Sequence, residues 1–146
     1  MNNKIKVCLI GAGRIGLFLE KDKKRLKPAT HFGMWLKEKE VNLTAICDKN
    51  YKSYLFAKKL KKNIRYYSNV DKILKEENPD IVSICTWKDS HYSITRKCIN
   101  FGIKTIVLEK PLCSDDLIIL LIFNSLPIPV IVIFPREPKI LKSKIS

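Results

Sequence analysis

The sequence predicts an α/β fold: a doubly wound, mostly parallel sheet between two layers of helices. Short apolar runs alternate with helical segments, as expected when helices cover both faces of a parallel sheet. A glycine-rich turn directly follows the first apolar run. With 146 residues, 46% of them hydrophobic and 29% charged, the chain has the size and composition of one globular domain.

The six predicted strands are short β-rich or continuously apolar runs bounded by turn residues. In chain order they are KIKVCLI (4–10), LTAIC (43–47), a short run (64–67), IVSIC (81–85), TIVL (105–108) and VIVIF (130–134). Right-handed crossovers between such strands give the doubly wound order. Residues 1–135 are therefore assigned to one domain, and residues 136–146 to a basic tail.

Helical spacing of apolar residues and capping residues define the segments between the strands. The predicted helices cover 14–19, 31–40, 51–60, 68–77, 90–101 and a segment that begins at Asp115 or Asp116. Ser68 and Ser90 are the expected N-caps, and Gly102 is expected to close the helix before it. The charged stretch 21–28 ends in proline and is predicted to be an exposed loop.

Two of these helices carry apolar residues whose spacing predicts a face toward the core. The predicted inward residues are Phe32, Trp35 and Leu36 in the segment 31–40, and Leu55, Phe56 and Leu60 in the segment 51–60.

Residues 117–134 form a run of 18 residues without a charge, near the length of a membrane span. Asn124, Ser125, Pro127 and Pro129 interrupt the middle of the run. A buried helix, a turn and a buried strand are therefore preferred, with a membrane contact as the alternative. The start of the chain leads directly into a strand, so we expect no signal peptide and a cytoplasmic protein.

The formal net charge of +14 raises nucleic acid as a partner. Only five of the 28 basic residues are arginines, whereas arginine is the residue expected to read bases and phosphates. Lysine spread along the chain favours a solvated surface, so we expect no nucleic-acid partner. The five cysteines form no zinc-binding spacing and no metal site is expected; they are interpreted as buried thiols of a reducing compartment.

The turn Gly11-Ala12-Gly13-Arg14-Ile15-Gly16 has the GxGxxG pattern between a predicted strand and a predicted helix. In this context Gly11 permits the tight turn, Gly13 lets a diphosphate approach the backbone, and Gly16 lets the helix pack closely. The amides and dipole of the helix start would attract the anion. The motif predicts a Rossmann-type dinucleotide site; the alternative is a glycine turn that binds nothing.

Asp48 ends the second strand, where a carboxylate can accept hydrogen bonds from the adenosine ribose. It comes later than the usual ~20 residues after the glycine turn, because an extra loop and helical segment lie between them. A carboxylate repels a 2′-phosphate, so NAD is favoured, while the neighbouring Lys49 keeps NADP possible. The alternative for Asp48 is an ordinary turn residue.

Thr86, Trp87 and His91 follow the fourth strand, and Glu109-Lys110-Pro111 follows the fifth. Ligands bind at this carboxyl edge in open α/β sheets. Thr86, Trp87 and Glu109 are predicted to contact the cofactor; the alternative for Trp87 is an exposed loop anchor. His91 points either toward the cofactor or into the core. A lysine at position 110 would hydrogen-bond a substrate hydroxyl near the nicotinamide; a solvated lysine is the alternative.

The chain resembles the N-terminal domain of the Gfo/Idh/MocA oxidoreductases over roughly residues 4–112. The similar pieces, in the family's order and spacing, are IGAGRIG (10–16), AICD (45–48), PDIVSICT (79–86), SHY (90–92) and LEKPL (108–112). The resemblance implies NAD(P)-dependent oxidation or reduction of a sugar, cyclitol or sugar derivative. It assigns cofactor binding to the glycine turn and Asp48, a catalytic and cofactor-contacting role to Lys110, and a place near the nicotinamide to residues 86–91.

Family members usually carry a second α/β domain that binds substrate, and the last residues of this chain are similar to the entry into that domain. The sequence therefore predicts either an oxidoreductase, or its cofactor-binding half, or a truncated dinucleotide-binding module without turnover. The apolar surface that such a domain would cover predicts self-association or pairing with a separate second domain.

Overall fold

The computed structural model describes residues 4–110 in full and residues 130–133 as backbone. The helix predicted from Asp115 or Asp116, the residue Cys113 and the tail 136–146 lie outside the described residues. Within residues 4–110, none of the helices has the length and apolar character that a membrane span requires. Residues 130–133 form a strand of the sheet, as predicted for that part of the uncharged run.

The described residues form a six-stranded sheet at the centre of the fold. The strands are β1 (Ile5–Ile10), β2 (Val41–Cys47), β3 (Arg65–Tyr67), β4 (Ile81–Ile84), β5 (Thr105–Glu109) and β6 (Val130–Ile133). They lie side by side in the order β3-β2-β1-β4-β5-β6. Every neighbouring pair is parallel. The chain crosses from β3 at one edge back past β1 to β4, so the predicted doubly wound arrangement is confirmed.

The register places four strand ends at one level of the sheet. Ile10 of β1 aligns with Cys47 of β2 on one side and with Ile84 of β4 on the other. Ile84 in turn aligns with Leu108 of β5. The residues that follow these strands therefore share one carboxyl edge.

Four α-helices connect the described strands: α1 (His31–Lys37), α2 (Tyr51–Leu60), α3 (Val70–Glu77) and α4 (Lys88–Asn100). The predicted caps Ser68 and Ser90 are wrong. Asn69 caps α3 because its side chain accepts a hydrogen bond from the Lys72 amide. Helix α4 begins before Ser90, whose hydroxyl instead donates to the Trp87 carbonyl.

Two buried clusters cover the two faces of the sheet. One contains Ile73, Leu74 and Cys98 of α3 and α4; the other contains Phe32 and Trp35 of α1. The three-layer prediction is thereby confirmed for the described residues.

The predicted inward faces of α1 and α2 are partly wrong. Leu36, Leu55 and Leu60 are exposed, whereas Ser53 and Ala57 are the buried residues of α2. The side of α2 that is buried carries these two small residues, and Leu55 and Leu60 lie on its exposed side. Partly buried Phe56 stacks on Phe18, with ring centroids 5.8 Å apart.

The helix predicted over 14–19 is also wrong, since that segment forms turns followed by a 3-10 helix at Phe18–Lys21. The amide of Leu17 donates to the Gly13 carbonyl as in a helix, but the Leu19 amide donates to Arg14, and the regular ladder stops. The chain then enters the loop that was predicted to be exposed (21–28), in which Leu26 is 94% exposed.

After this loop, the first turn of helix α1 is hydrogen-bonded to the glycine turn. The amides of His31 and Phe32 donate to the carbonyls of Ile15 and Gly16, at 3.2 and 2.9 Å. Glu20 anchors the returning chain because its carboxylate accepts from the Thr30 hydroxyl at 2.6 Å. The glycine turn is thus supported by a helix that begins 15 residues later. The regular helix whose dipole was predicted to attract the anion does not follow the turn directly.

Candidate functional site

The carboxyl edge of the sheet brings together residues from four strand ends. They are Gly11 after β1, Asp48 after β2, Thr86 shortly after β4 and Lys110 after β5. Neighbouring strands lie about 4.8 Å apart, so the three steps from the end of β2 to the end of β5 span about 14 Å. The edge therefore presents an elongated row of groups and not a single compact pocket.

Two glycines of the turn are required by its own packing. Gly11 has φ +88°, and a Cβ there would lie 2.6 Å from the carbonyl carbon of Cys85. At Gly16 a Cβ would lie 2.1 Å from the Gly11 carbonyl oxygen. Any larger side chain at either position displaces the backbone of the turn.

Gly13 differs from these glycines, because a Cβ there would meet no atom within 4 Å. The fold itself does not need a glycine at this position. Arg14 and Ile15, which follow it, are exposed, and their amides donate to no acceptor among the described residues. An open backbone with unused amides is a suitable cradle for a diphosphate, so the turn fits the predicted dinucleotide.

Asp48 is bound to the glycine turn. Its Oδ2 accepts a hydrogen bond from the Ala12 amide at 2.8 Å, and its Oδ1 accepts from the Asn50 amide at 2.7 Å. Each carboxylate oxygen has a second lone pair, so the group can still accept from ribose hydroxyls. The side chain is half-buried and is held in one place by the two amides.

Buried His91 anchors the loop after β4 by a hydrogen bond. This histidine is 1% exposed, and its Nε2 lies 2.9 Å from the Thr86 carbonyl oxygen, to which it can only donate. The hydroxyl oxygens of Ser90 and Thr86 lie 2.8 Å apart, so the two side chains are also linked. Trp87 is 87% exposed above the same loop. The structure thus places Thr86 and Trp87 at the edge and His91 in the core beneath them.

Glu109 and Lys110 end β5 in different surroundings. Lys110 is exposed, whereas the carboxylate of Glu109 turns inward and lies 2.7 Å from Nε2 of His31. The other ring nitrogen of His31 lies 2.8 Å from the hydroxyl of Ser83 on β4. Sequence reasoning missed His31 and Ser83, because 78 residues separate His31 from Glu109 and no local pattern links them.

The cysteines beside the site are unsuited to nucleophilic chemistry. Burial raises the pKa of the Cys47 thiol to about 11, with the charge of Asp48 adding to the effect. Burial, followed by the charge of Glu109, raises the pKa of Cys85 well above its usual range. Both thiols stay protonated at neutral pH and pack as small apolar groups, as the sequence predicted.

The glycine turn follows β1 at the point of the sheet where the strand order changes direction, between the neighbouring strands β1 and β4. This strand order and this turn define a dinucleotide-binding domain of the Rossmann type. Residues 5–117 match the family described as "Oxidoreductase family, NAD-binding Rossmann fold", and the chain belongs to this Gfo/Idh/MocA family. The predicted family and its NAD-binding domain are thereby confirmed. No curated protein sequence matches the chain.

Solved structures with the same fold include two dehydrogenases. The myo-inositol 2-dehydrogenase from Lactobacillus plantarum superposes with a TM-score of 0.71 at 22% identity, covering 89% of this chain and 36% of that protein. The WlbA dehydrogenase from Chromobacterium violaceum, solved with NADH and UDP-GlcNAcA, gives 0.69 at 22% identity, covering 89% and 35%. The chain therefore spans about a third of the length of these structures.

Proposed function

We propose that this chain binds NAD along the carboxyl edge of its sheet and serves as the cofactor-binding unit of a sugar or cyclitol oxidoreductase. The row of four strand ends carries the proposal. Asp48 would hold the adenosine ribose, the turn at Gly13 the diphosphate, and Thr86 and Trp87 would flank the cofactor toward Lys110. The span of about 14 Å suits an extended dinucleotide.

NAD is the proposed form of the cofactor, with NADP as the weaker ligand. The Asp48 carboxylate is fixed by two amides and cannot turn away from a 2′-phosphate without breaking both hydrogen bonds. A fixed negative charge beside a dianionic phosphate disfavours NADP. Exposed Lys49 lies next to Asp48 in the chain and would reduce, but not abolish, this preference.

Lys110 is the proposed catalytic residue. When bound, the nicotinamide would exchange a hydride with the carbon that bears a substrate hydroxyl. The ammonium of Lys110 would hydrogen-bond that hydroxyl, orient it, and help its proton to leave. Glu109 would hold the backbone of this turn through its inward contact with His31.

The substrate class and the partners are proposed by family likeness. The structural relatives include an inositol dehydrogenase and a dehydrogenase solved with a nucleotide sugar. We propose a polyhydroxylated substrate, bound with the help of a second domain or a second copy of this chain. We also propose a reducing, cytoplasmic compartment, since the thiols of Cys8, Cys47, Cys85 and Cys98 are free and buried.

The central experiment measures NAD binding by calorimetry and by the shift in melting temperature. NAD should stabilise the wild-type chain, and Gly13→Val should abolish that stabilisation without lowering the melting temperature of the ligand-free protein. Gly13→Ala, a smaller addition in the same open space, should weaken binding less. Absence of any NAD or NADP binding by folded wild-type protein would overturn the proposal.

A second measurement separates an oxidoreductase from a binding module without turnover. NAD reduction is followed at 340 nm with a panel of sugars and cyclitols, with and without a candidate second domain. Turnover that disappears in Lys110→Ala supports the oxidoreductase. Tight NAD binding without reduction under every condition would support the module instead.

A further inference from the structure

His31 bridges three parts of the fold that the proposed site uses. Its backbone amide donates to the carbonyl of Ile15 in the glycine turn, at 3.2 Å. Its side chain contacts Ser83 in the middle of β4 and Glu109 at the end of β5, at 2.8 and 2.7 Å. One residue therefore contacts both the turn assigned to the diphosphate and the strand end that precedes Lys110.

The three side chains of the bridge are largely buried. His31 is 5% exposed, Ser83 is 0% exposed, and the side chain of Glu109 is 13% exposed. Polar groups in such surroundings are costly unless each of them is hydrogen-bonded. An ionised Glu109 only accepts, so Nε2 of His31 carries the proton in that contact. The Ser83 hydroxyl can donate or accept, so it can satisfy Nδ1 of His31.

The contacts constrain the two ends of the site differently. The link to the glycine turn uses the backbone amide of residue 31, which any side chain but proline retains. The link to Glu109 uses only the imidazole. A substitution at position 31 should therefore release the end of β5 while leaving the glycine turn in place.

We propose that His31 is a positioning residue that holds the Glu109–Lys110 strand end at a fixed distance from the glycine turn, so that the nicotinamide half of the cofactor meets a prearranged edge. This role rests on the NAD site proposed above. His31 would act through Glu109 and would not touch the cofactor.

The test compares two ligands that share the adenosine and diphosphate half of the cofactor. ADP-ribose contains the adenosine and diphosphate but no nicotinamide, whereas NADH contains all three. In His31→Phe, NADH should bind about tenfold more weakly, as expected for the loss of a hydrogen bond to a charged group. ADP-ribose affinity should stay within about twofold of wild type, because the glycine turn keeps its backbone support. The fluorescence of bound NADH should fall along with the affinity.

His31→Gln supplies the conservative variant. Its amide can donate to Glu109 and accept from Ser83, so it should recover part of the NADH affinity and fluorescence. Ile73→Ala is the matched control for lost stability, since Ile73 is fully buried in the cluster on the other face of the sheet. This control should weaken both ligands equally or neither.

The outcomes separate the two proposals. If wild-type protein binds neither ADP-ribose nor NADH, the proposed NAD site fails. If wild-type protein binds both but His31→Phe weakens them by the same factor, or weakens neither, the NAD site stands and the positioning role of His31 is overturned. Should His31→Phe fail to fold, Ser83→Ala, which removes one hydroxyl from the same bridge, is read by the same comparison of ligands.

Discussion

The carboxylate of Asp48 accepts a hydrogen bond from the amide of Ala12 at 2.8 Å, joining the end of β2 to the glycine turn that follows β1. The contact spans 36 residues of sequence and holds two predicted cofactor-binding elements in one arrangement. Asp48 therefore has a structural role as well as its proposed role in ribose binding. Experiments on Asp48 therefore have to separate its structural role from its proposed role in ribose binding.

Asp48→Asn is expected to lower NAD affinity about tenfold or more, since hydrogen bonds to a charged group are stronger than those to a neutral one. The asparagine oxygen can still accept from the Ala12 amide, so the turn should remain formed. Removal of the negative charge should also narrow the preference for NAD over NADP. Calorimetry with both cofactors measures the two effects.

Asn50→Ala is the control for this substitution. Asn50 donates its amide to Asp48 and caps α2 with its side chain, so the variant weakens the helix start but retains the carboxylate. It should leave the ratio of NAD to NADP affinity unchanged. An unchanged ratio in Asp48→Asn as well would show that the carboxylate does not face the ribose.

Gly16→Ala is expected to destabilise the protein before any ligand is added. The new Cβ would lie 2.1 Å from the Gly11 carbonyl oxygen, so the turn has to open. Overpacking of this kind costs about 1–3 kcal/mol. Urea denaturation of the ligand-free chain measures the loss. Gly13→Ala, in open space, is the matched control and should unfold near the wild-type midpoint; equal losses in both variants would contradict this assignment of the glycines.

Lys110→Ala should abolish turnover while NAD binding changes by no more than about tenfold, since an exposed lysine contributes little ground-state binding. Lys104→Ala is the matched control. Lys104 lies before β5, at the opposite edge of the sheet, and its Nζ is 3.1 Å from Asp80 in an exposed ion pair. The control should retain turnover. Steady-state rates under conditions where wild-type protein is active, together with NAD titrations, compare the two variants; equal rates would exclude Lys110 from the chemistry.

The sheet could be predicted from the sequence because local patterns specify its strands and turns. Apolar runs such as 81–85 and the glycine turn at residues 11–16 specify strands and their edge without knowledge of distant contacts. The failures have tertiary causes. Ile15, Phe18 and Leu19 have helical spacing, yet the regular helix begins only at His31, whose amide donates to the Ile15 carbonyl. Helix propensity alone does not show where such a path is interrupted.

The same distinction applies to the site. Gly13, Asp48 and Lys110 follow predicted strands, so their common edge could be derived from topology. The inward position of Glu109 could not, because its partner His31 comes from a helix start 78 residues away. Likewise, Leu55 and Leu60 were predicted to face inward but are exposed, since α2 buries the side that carries Ser53 and Ala57.

An ion pair between buried Glu77 and exposed Arg65 predicts how stability depends on pH. Glu77, whose side chain is 1% exposed, accepts from the guanidinium of Arg65 and from the Tyr67 hydroxyl, the latter at 2.7 Å. Burial alone would raise the pKa of Glu77, but the hydrogen bonds from Arg65 and Tyr67 outweigh it and hold the pKa below its usual value.

A carboxylate whose pKa is lower in the folded state stabilises the protein above its unfolded pKa of about 4.3, and this contribution is lost as the pH falls through the folded value. Glu77→Gln should therefore cost about 2 kcal/mol at pH 7, below the range for fully buried pairs because Arg65 is 60% exposed. The difference from wild type should persist down to about pH 5 and shrink below pH 4. Urea unfolding at several pH values measures it, with exposed Glu76→Gln as the control that should show little change. A difference that stays constant from pH 7 to pH 3 would mean that the charge of Glu77 does not stabilise the fold.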